Sequence, residues 1–337
     1  MKAWEIGAQT GLESLRLVVR DEPKPGAGEV LVRVHAACLN HRDLLVLQNR
    51  YGPPKPEDRI PLSDGVGTVE AVGEGADPGW IGKRITAPHF VGWRDGPFSP
   101  AAFGADLGIT KDGWLAQKIL LPEAALIAVP DDLSDKAVAA MPAVGATVWS
   151  AIANFAHIQP GELLLALGTG GVSIAALQIG KALGAQVAIT SSSDTKLEQC
   201  RALGADHVIN YRTHADWPAA LLEATGGRGA DVVVDTVGFA SLDQTIAATA
   251  PNGRIALIGA LSGPMEALPN LFGIIGKNLT LKGITSGSRA MLAEVLVLME
   301  RTGFNPVIDK VFSFEEANPA YRHLESGAHL GKVMITF

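Results

Sequence analysis

The chain has 337 residues, enough for two domains with full cores, and its 47% hydrophobic and 19% charged content is that of an ordinary globular protein. A net charge of −7 argues against a general nucleic-acid role, and no block of lysine or arginine forms a basic tail or patch. No run of about 18 apolar residues is present to span a membrane, a charge interrupts the opening Met1-Lys2-Ala3-Trp4-Glu5-Ile6 where a signal peptide would be apolar, and two cysteines, Cys38 and Cys200, fit a reducing cytoplasm. Both cysteines read as small buried apolar residues.

The first 125 or so residues read as β-rich and punctuated by glycine. Residues 29–36 alternate as a half-buried strand, 65–73 form another with glycines at bends or close contacts, and 82–87 and 113–121 supply two more. Between the last two, residues 94–112 are rich in Gly, Pro, Ser and Ala and predict a long surface loop. Past Val129-Pro130, Ser134 is placed to cap a helix, and a second apolar helix is predicted over 146–155. From Gly161 strands and helices alternate. Residues 231–235 and 254–258 are continuous apolar strands of the kind buried in a parallel sheet, 278–283 is a further strand, 288–301 a helix and 332–337 a terminal strand.

The most informative segment is Gly168-Thr169-Gly170-Gly171-Val172-Ser173. A strand-length apolar run, 163–167, precedes it. A helical pattern, 174–183, follows and is closed by Gly184, and 186–190 is the next strand. Glycines there let the chain turn sharply and let a pyrophosphate approach the backbone at the N-terminus of the helix, where unpaired N–H groups and the positive end of the dipole lie. Ser173 takes the last place of the G-x-G-x-x-G spacing, small enough for close helix packing. The second strand ends in Ser191, where an NAD-preferring fold carries Asp or Glu, and Lys196 adds a cation. This predicts NADPH, with NADH less favoured. Asp194 could instead turn inward, and Lys196 could be a solvated residue of a first helical turn.

Residues 38–44 (CLNHRDL), 65–73 (GVGTVEAVG), 168–184, 205–211 (ADHVINY) and 326–332 (SGAHLGK) occur in an order and spacing that resemble the medium-chain dehydrogenase/reductase superfamily. The resemblance is nearest to its zinc-free quinone-oxidoreductase-like and zinc-type alcohol dehydrogenase-like branches. It implies an α/β fold, with a GroES-like β-rich catalytic domain over 1–123 completed by 284–337, and a doubly wound parallel-sheet Rossmann domain over 124–283. It also implies a homodimer or homotetramer, hydride transfer to or from a nicotinamide cofactor and a small-molecule substrate, with no nucleic-acid or membrane partner.

The same resemblance places Asn40, Ser63 and Ala143 where zinc alcohol dehydrogenases hold their catalytic metal, with Asp64 at a neighbouring glutamate position. An amide, a hydroxyl and a methyl do not make a zinc site, so no metal is expected. Cofactor contacts are expected from Thr147, Gly168, Gly170, Gly171, Val172, Ser173, Ser191, Lys196, Tyr211 and Lys332. The last of these could equally be a solvated lysine opening the final strand. Asn40 and Tyr51, eleven positions apart, match a catalytic pair in zinc-free relatives: the amide would hold a substrate oxygen and the phenol would assist it or relay a proton. Asn40 could also cap the helix over 42–47, and Tyr51 could be a loop aromatic. Phe90, Trp93 and Phe272 are candidate pocket walls. The implied activity is zinc-independent reduction of a quinone, an enone or another activated carbonyl. Metal-free alcohol oxidation and a nucleotide-binding protein without catalysis are the alternatives.

Overall fold

The computed structural model describes residues 1–259 and 271–337. The chain forms two compact units, Met1–Ala146 with Gly287–Phe337, and Thr147–Ser286.

The first unit is built on a seven-stranded, mostly antiparallel sheet. Its central strand, Glu29–Leu39, pairs with Asp64–Val72, with Lys118–Pro122 and with the terminal strand Lys332–Thr336. Met334 therefore sits opposite Cys38, and Cys38 opposite Asp64, so three distant parts of the chain meet at one end of the sheet. Gly65 is required by packing: a Cβ there would lie 2.3 Å from Cδ2 of the buried Trp114, whose indole lies on the strand backbone. Both cysteines are free and buried, and burial pushes the Cys38 thiol up to about 12.

Two expectations change here. The boundary falls at 146/147 rather than 123/124, because Ile127–Ala128 pairs with Arg84–Thr86 and because Asp135 accepts from Arg84 at 2.8 Å and contacts His35 at 2.8 Å. The return comes at Gly287 rather than 284: a Cβ at Gly287 would lie 2.3 Å from the Ala146 carbonyl oxygen, so the two ends of the unit pass in contact. Of the strand predicted over 113–121 only Lys118–Pro122 pairs as a strand, and the loop over 94–112 contains a short 3-10 helix, Pro100–Ala105. The helix predicted over 146–155 is a short α-helix, Val144–Val148, continued by a π-helical stretch, Trp149–Phe155.

The second unit is a six-stranded parallel sheet in the order His207–Asn210, Gln186–Ser191, Leu163–Ala166, Ala230–Asp235, Thr249–Leu257, Thr280–Gly283. Numbered along the chain this is the 3-2-1-4-5-6 order of a doubly wound dinucleotide fold. Leu163–Ala166 is buried at every position, as its unbroken apolar run requires. The helix Gly171–Ala182 lies close against it: a Cβ at Gly180 would fall 2.7 Å from Leu164 Cδ2. Among the described residues no helix is long and apolar enough to cross a membrane.

Candidate active site: a glycine cradle and a buried lysine ring

In the parallel-sheet unit the chain leaves Leu163–Ala166 and turns through Gly168, at φ +78°, to Gly170, the N-cap of Gly171–Ala182. Strand order reverses at this strand, which is where such folds open a crevice at the carboxyl ends. A Cβ on Gly168 or Gly170 would meet no atom within 4 Å, so the turn borders open space. The first-turn N–H groups of Gly171, Val172 and Ser173 have no acceptor within the helix. Ser173 is buried and donates from Oγ to the Leu167 carbonyl at 2.6 Å, while Gly168 N–H donates to Thr190 Oγ1 at 3.2 Å. The hydroxyls lock the turn, and the glycines leave its outer face bare. A dinucleotide pyrophosphate fits this arrangement.

At the end of the next strand, buried Ser191 accepts from Ser193 N–H at 3.3 Å, and Tyr211 N–H donates to the Ser191 carbonyl at 3.0 Å. Ser191 and the exposed Tyr211 are thus neighbours. Ser193 Oγ caps the helix Asp194–Ala202 through Lys196 N–H at 3.4 Å, placing half-buried Lys196 in its first turn. Asp194 Oδ1 accepts from Asn210 Nδ2 at 2.7 Å, which gives that carboxylate a structural partner. Thr147 is buried, with Oγ1 3.5 Å from Ser286 Oγ.

In the β-rich unit Asn40 is the N-cap of His41–Leu47, and Asp43 Oδ2 accepts from Asn40 N–H at 2.7 Å. Asn40 and Asp43 thus form a capping box at the start of this helix, and the Asn40 side chain has further partners. Its Oδ1 accepts from Lys332 Nζ at 2.5 Å, and its Nδ2 donates to Ser63 Oγ at 3.2 Å. Ser63 donates to Asp64 Oδ1 at 2.8 Å, Asp64 Oδ2 accepts from Ala143 N–H at 3.2 Å, and Lys332 Nζ closes the ring 3.7 Å from Asp64 Oδ2. Lys332 is only 4% exposed and donates also to the Leu39 carbonyl at 2.8 Å. Its ammonium is therefore held by groups of this unit, and the alternative of a solvated lysine does not hold. Burial, against the pull of Arg42, raises the Asp43 carboxyl to about 7.

Two residues past Asn40, Arg42 Nη2 donates to Asp106 Oδ1 at 2.7 Å and to the Leu107 carbonyl at 2.8 Å, and His89 Nδ1 lies 2.9 Å from both Arg42 Nη1 and Asp106 Oδ1. Tyr51 packs on this network, its ring centroid 5.4 Å from Arg42 Cζ. Burial raises the Tyr51 phenol above its ordinary value, with Arg42 opposing the shift. Phe90 and Trp93 are buried, and with Phe98 and Phe103 they form an aromatic cluster of edge-to-face and tilted contacts. Phe272 belongs to the other unit and is highly exposed.

Residues 26–131 match the alcohol dehydrogenase GroES-like domain family, and residues 171–301 match the zinc-binding dehydrogenase family. A zinc-type alcohol dehydrogenase-like protein of Schizosaccharomyces pombe is 37% identical over 333 residues, covering 97% of this chain and 96% of the relative. The chain is a medium-chain dehydrogenase/reductase. It belongs to the zinc-type alcohol dehydrogenase-like branch, with a GroES-like unit, a Rossmann unit and a place for a nicotinamide cofactor. An acryloyl-coenzyme A reductase of Sulfurisphaera tokodaii is 30% identical over 326 residues, 93% of this chain and 94% of the relative. A solved NAD-dependent alcohol dehydrogenase superposes with a TM-score of 0.91 at 34% identity, covering 100% of both chains. The mycobacterial protein Rv1454c, solved with NADPH, does so with a TM-score of 0.83 at 25% identity, again over 100% of both.

The residues of this medium-chain dehydrogenase/reductase do not fit the zinc that its branch name implies. Asn40, Ser63 and Asp64 are hydrogen-bonded to one another, Ala143 contributes a backbone N–H, and a lysine ammonium lies among them. A cation donor hydrogen-bonded to Asn40 Oδ1 competes with a metal for that oxygen, and no thiolate or imidazole joins the ring. Among the described residues no group of three or more His, Cys, Asp and Glu is arranged to hold a metal ion. The ring was invisible in sequence as a unit, since Lys332 lies 293 positions from Leu39 and reaches it only through strand pairing.

Proposed function

We propose that the protein is a zinc-independent reductase that passes hydride from NADPH to an activated acceptor, either a quinone or an α,β-unsaturated carbonyl compound. The bound nicotinamide supplies the hydride, and water or a side chain supplies the proton that neutralises the resulting anion. Asn40 supplies a hydrogen-bond donor to the acceptor oxygen, where negative charge develops as hydride arrives. Tyr51, whose phenol burial shifts above its ordinary value, assists as a second donor. Supporting the donor role is the ring itself: Asn40 Oδ1 is taken by Lys332 and one Nδ2 hydrogen by Ser63, which leaves one amide hydrogen for a ligand.

Activated acceptors are favoured because they need a donor and not a base. Alcohol oxidation must remove a hydroxyl proton, and an amide hydrogen-bonded to a lysine ammonium is no base. The likeness to acryloyl-coenzyme A reductase supports the enone class, and the likeness to an NAD-dependent alcohol dehydrogenase is what favours the second reading, metal-free alcohol oxidation. Ser191, Lys196 and Tyr211 at one end of the cradle support NADPH over NADH.

The test is a steady-state screen of NADPH with quinones, enones and aldehydes, and of NADP and NAD with alcohols, on the parent, Asn40→Ala and Tyr51→Phe, each checked by melting. Turnover of a quinone or enone should fall about tenfold in Tyr51→Phe, near 1.4 kcal/mol, and at least as far in Asn40→Ala, with cofactor affinity unchanged. Variants that melt like the parent and turn over at the parental rate would show both residues to be scaffold. Turnover of alcohols alone would favour the second reading, and none with any acceptor would favour a binding protein.

A further inference from the structure

We infer that Lys332 is a positioning residue for the reduction, acting through Asn40 and not on the cofactor. The inference rests on the proposed donor role of Asn40. An asparagine amide has two chemically opposite ends of nearly equal shape, and only its neighbours decide which end faces which way. Lys332 settles the matter, because an ammonium donates and never accepts. Its Nζ lies 2.5 Å from one end of the Asn40 amide, so that end is Oδ1. The other end is then Nδ2, and it donates to Ser63 Oγ at 3.2 Å. Ser63 must in turn give its proton to Asp64, 2.8 Å away. Asp64 supplies the counter-charge to Lys332 at 3.7 Å and is held by Ala143 N–H. Every polarity around the ring follows from one fixed cation.

Without the ammonium the amide could turn over: Ser63 could donate to Oδ1, and the group offered to a substrate would no longer be assured of being a donor. The cation has a second effect. A positive charge on Oδ1 draws electron density through the conjugated amide and makes the remaining Nδ2 hydrogen a stronger donor, as happens along hydrogen-bond chains in buried surroundings. The ring is dry enough for this to matter, since Lys332, Ser63 and Asp64 are all buried. Lys332 thus gives a neutral amide part of the electrostatic role that a metal plays in other oxidoreductases.

The test is a double-mutant cycle in the full-length protein. Lys332→Met, Asn40→Ala and the double variant are compared in kcat with a quinone or enone, in NADPH affinity by nicotinamide fluorescence, and in melting temperature. Lys332→Met should lower kcat at least tenfold and change NADPH affinity by less than about threefold, and the double variant should be no slower than Asn40→Ala alone. Lys332→Gln, which removes the charge but stays polar, carries the same cycle if the methionine variant does not fold, and Lys332→Arg, which keeps the charge beside Asp64, should retain part of the rate that the neutral variants lose. Losses that multiply in the double variant would overturn the inference, since Lys332 would then act independently of Asn40. So would a tenfold loss of NADPH affinity at unchanged kcat, which would return Lys332 to the cofactor. An Asn40→Ala variant as fast as the parent would overturn the donor role itself, and the role of Lys332 with it.

Discussion

Arg42 Nη2 donates to Asp106 Oδ1 at 2.7 Å, and this buried pair ties the helix opened by Asn40 to the loop that carries Phe103 and Leu107. The same guanidinium supports the Tyr51 ring and bonds the Leu107 carbonyl. Removing one partner strands the other in an apolar surrounding. Arg42→Met is therefore expected to destabilise the fold by about 3–5 kcal/mol, the range for breaking a buried ion pair, as measured by denaturant unfolding. A loss under about 1 kcal/mol, the level of an exposed pair, would mean the pair is open to water.

Two carboxyls of this region should make stability depend on pH with opposite signs. Burial works against ionisation of Asp106, but Arg42 and His89 outweigh it and hold that carboxyl below its ordinary value. Its contribution is present above the unfolded pKa and is lost as pH falls through the folded one. Asp43 is raised to about 7 by burial, with Arg42, the Asn40 N–H and Lys332 pulling it down and Asp64 pushing it up. Its contribution is full below the unfolded value of about 3.9 and is lost as pH rises through about 7. Thermal melting of the parent should lose stability between these two values, and Asp43→Asn, whose Oδ1 can still accept from Asn40 N–H, should flatten that slope. An unchanged slope in the variant would place the titration elsewhere.

Lys196→Ala should weaken NADPH by roughly 1–2 kcal/mol, the size of a partly exposed charge-assisted hydrogen bond, and leave NADH nearly unchanged. The parent should bind NADPH more tightly than NADH. Isothermal titration with both cofactors checks this, and equal affinities in the parent would remove the assignment of Ser191 and Lys196 to a 2′-phosphate.

A symmetric homodimer, or a multiple of one, is expected through the edge strand Thr280–Gly283. Among the described residues that strand pairs only with Thr249–Leu257, and the short helix Phe272–Gly276, close in sequence, exposes Phe272 at 82% and Ile275 at 79%. An open strand edge beside exposed apolar side chains is an aggregation hazard unless another chain covers it. Light scattering at micromolar concentration should give at least twice the chain mass, and Phe272→Glu should shift it towards the monomer. A monomeric parent would refute the assembly.

The parallel-sheet unit was legible in the sequence because its signals are local. The apolar run before Gly168, the helical spacing after it and the closing Gly184 each act within a few residues, and the strands fall where their hydrophobicity puts them. The cap at Ser134 is of the same kind, its Oγ accepting from Ala137 N–H at 3.2 Å. The β-rich unit was legible in outline only. Its ends are set by long-range contacts, Ile127 with Thr86 and Gly287 against Ala146, which no local pattern records. The same holds for the site: the resemblance puts Asn40, Ser63 and Asp64 at the positions of a zinc site, but the lysine hydrogen-bonded to Asn40 enters from the last strand, and Asp106 reaches Arg42 across 64 positions.

The central claim is reduction of an activated acceptor at a lysine-held asparagine, without zinc. It is tested most directly by NADPH consumption with a quinone or enone, followed at the nicotinamide absorbance, on protein treated exhaustively with a strong chelator and assayed for metal. The account predicts turnover equal to that of untreated protein, no stoichiometric zinc in either sample and no response to added zinc. Activity lost on chelation and restored by about one zinc per chain, the stoichiometry of a catalytic site, would contradict it.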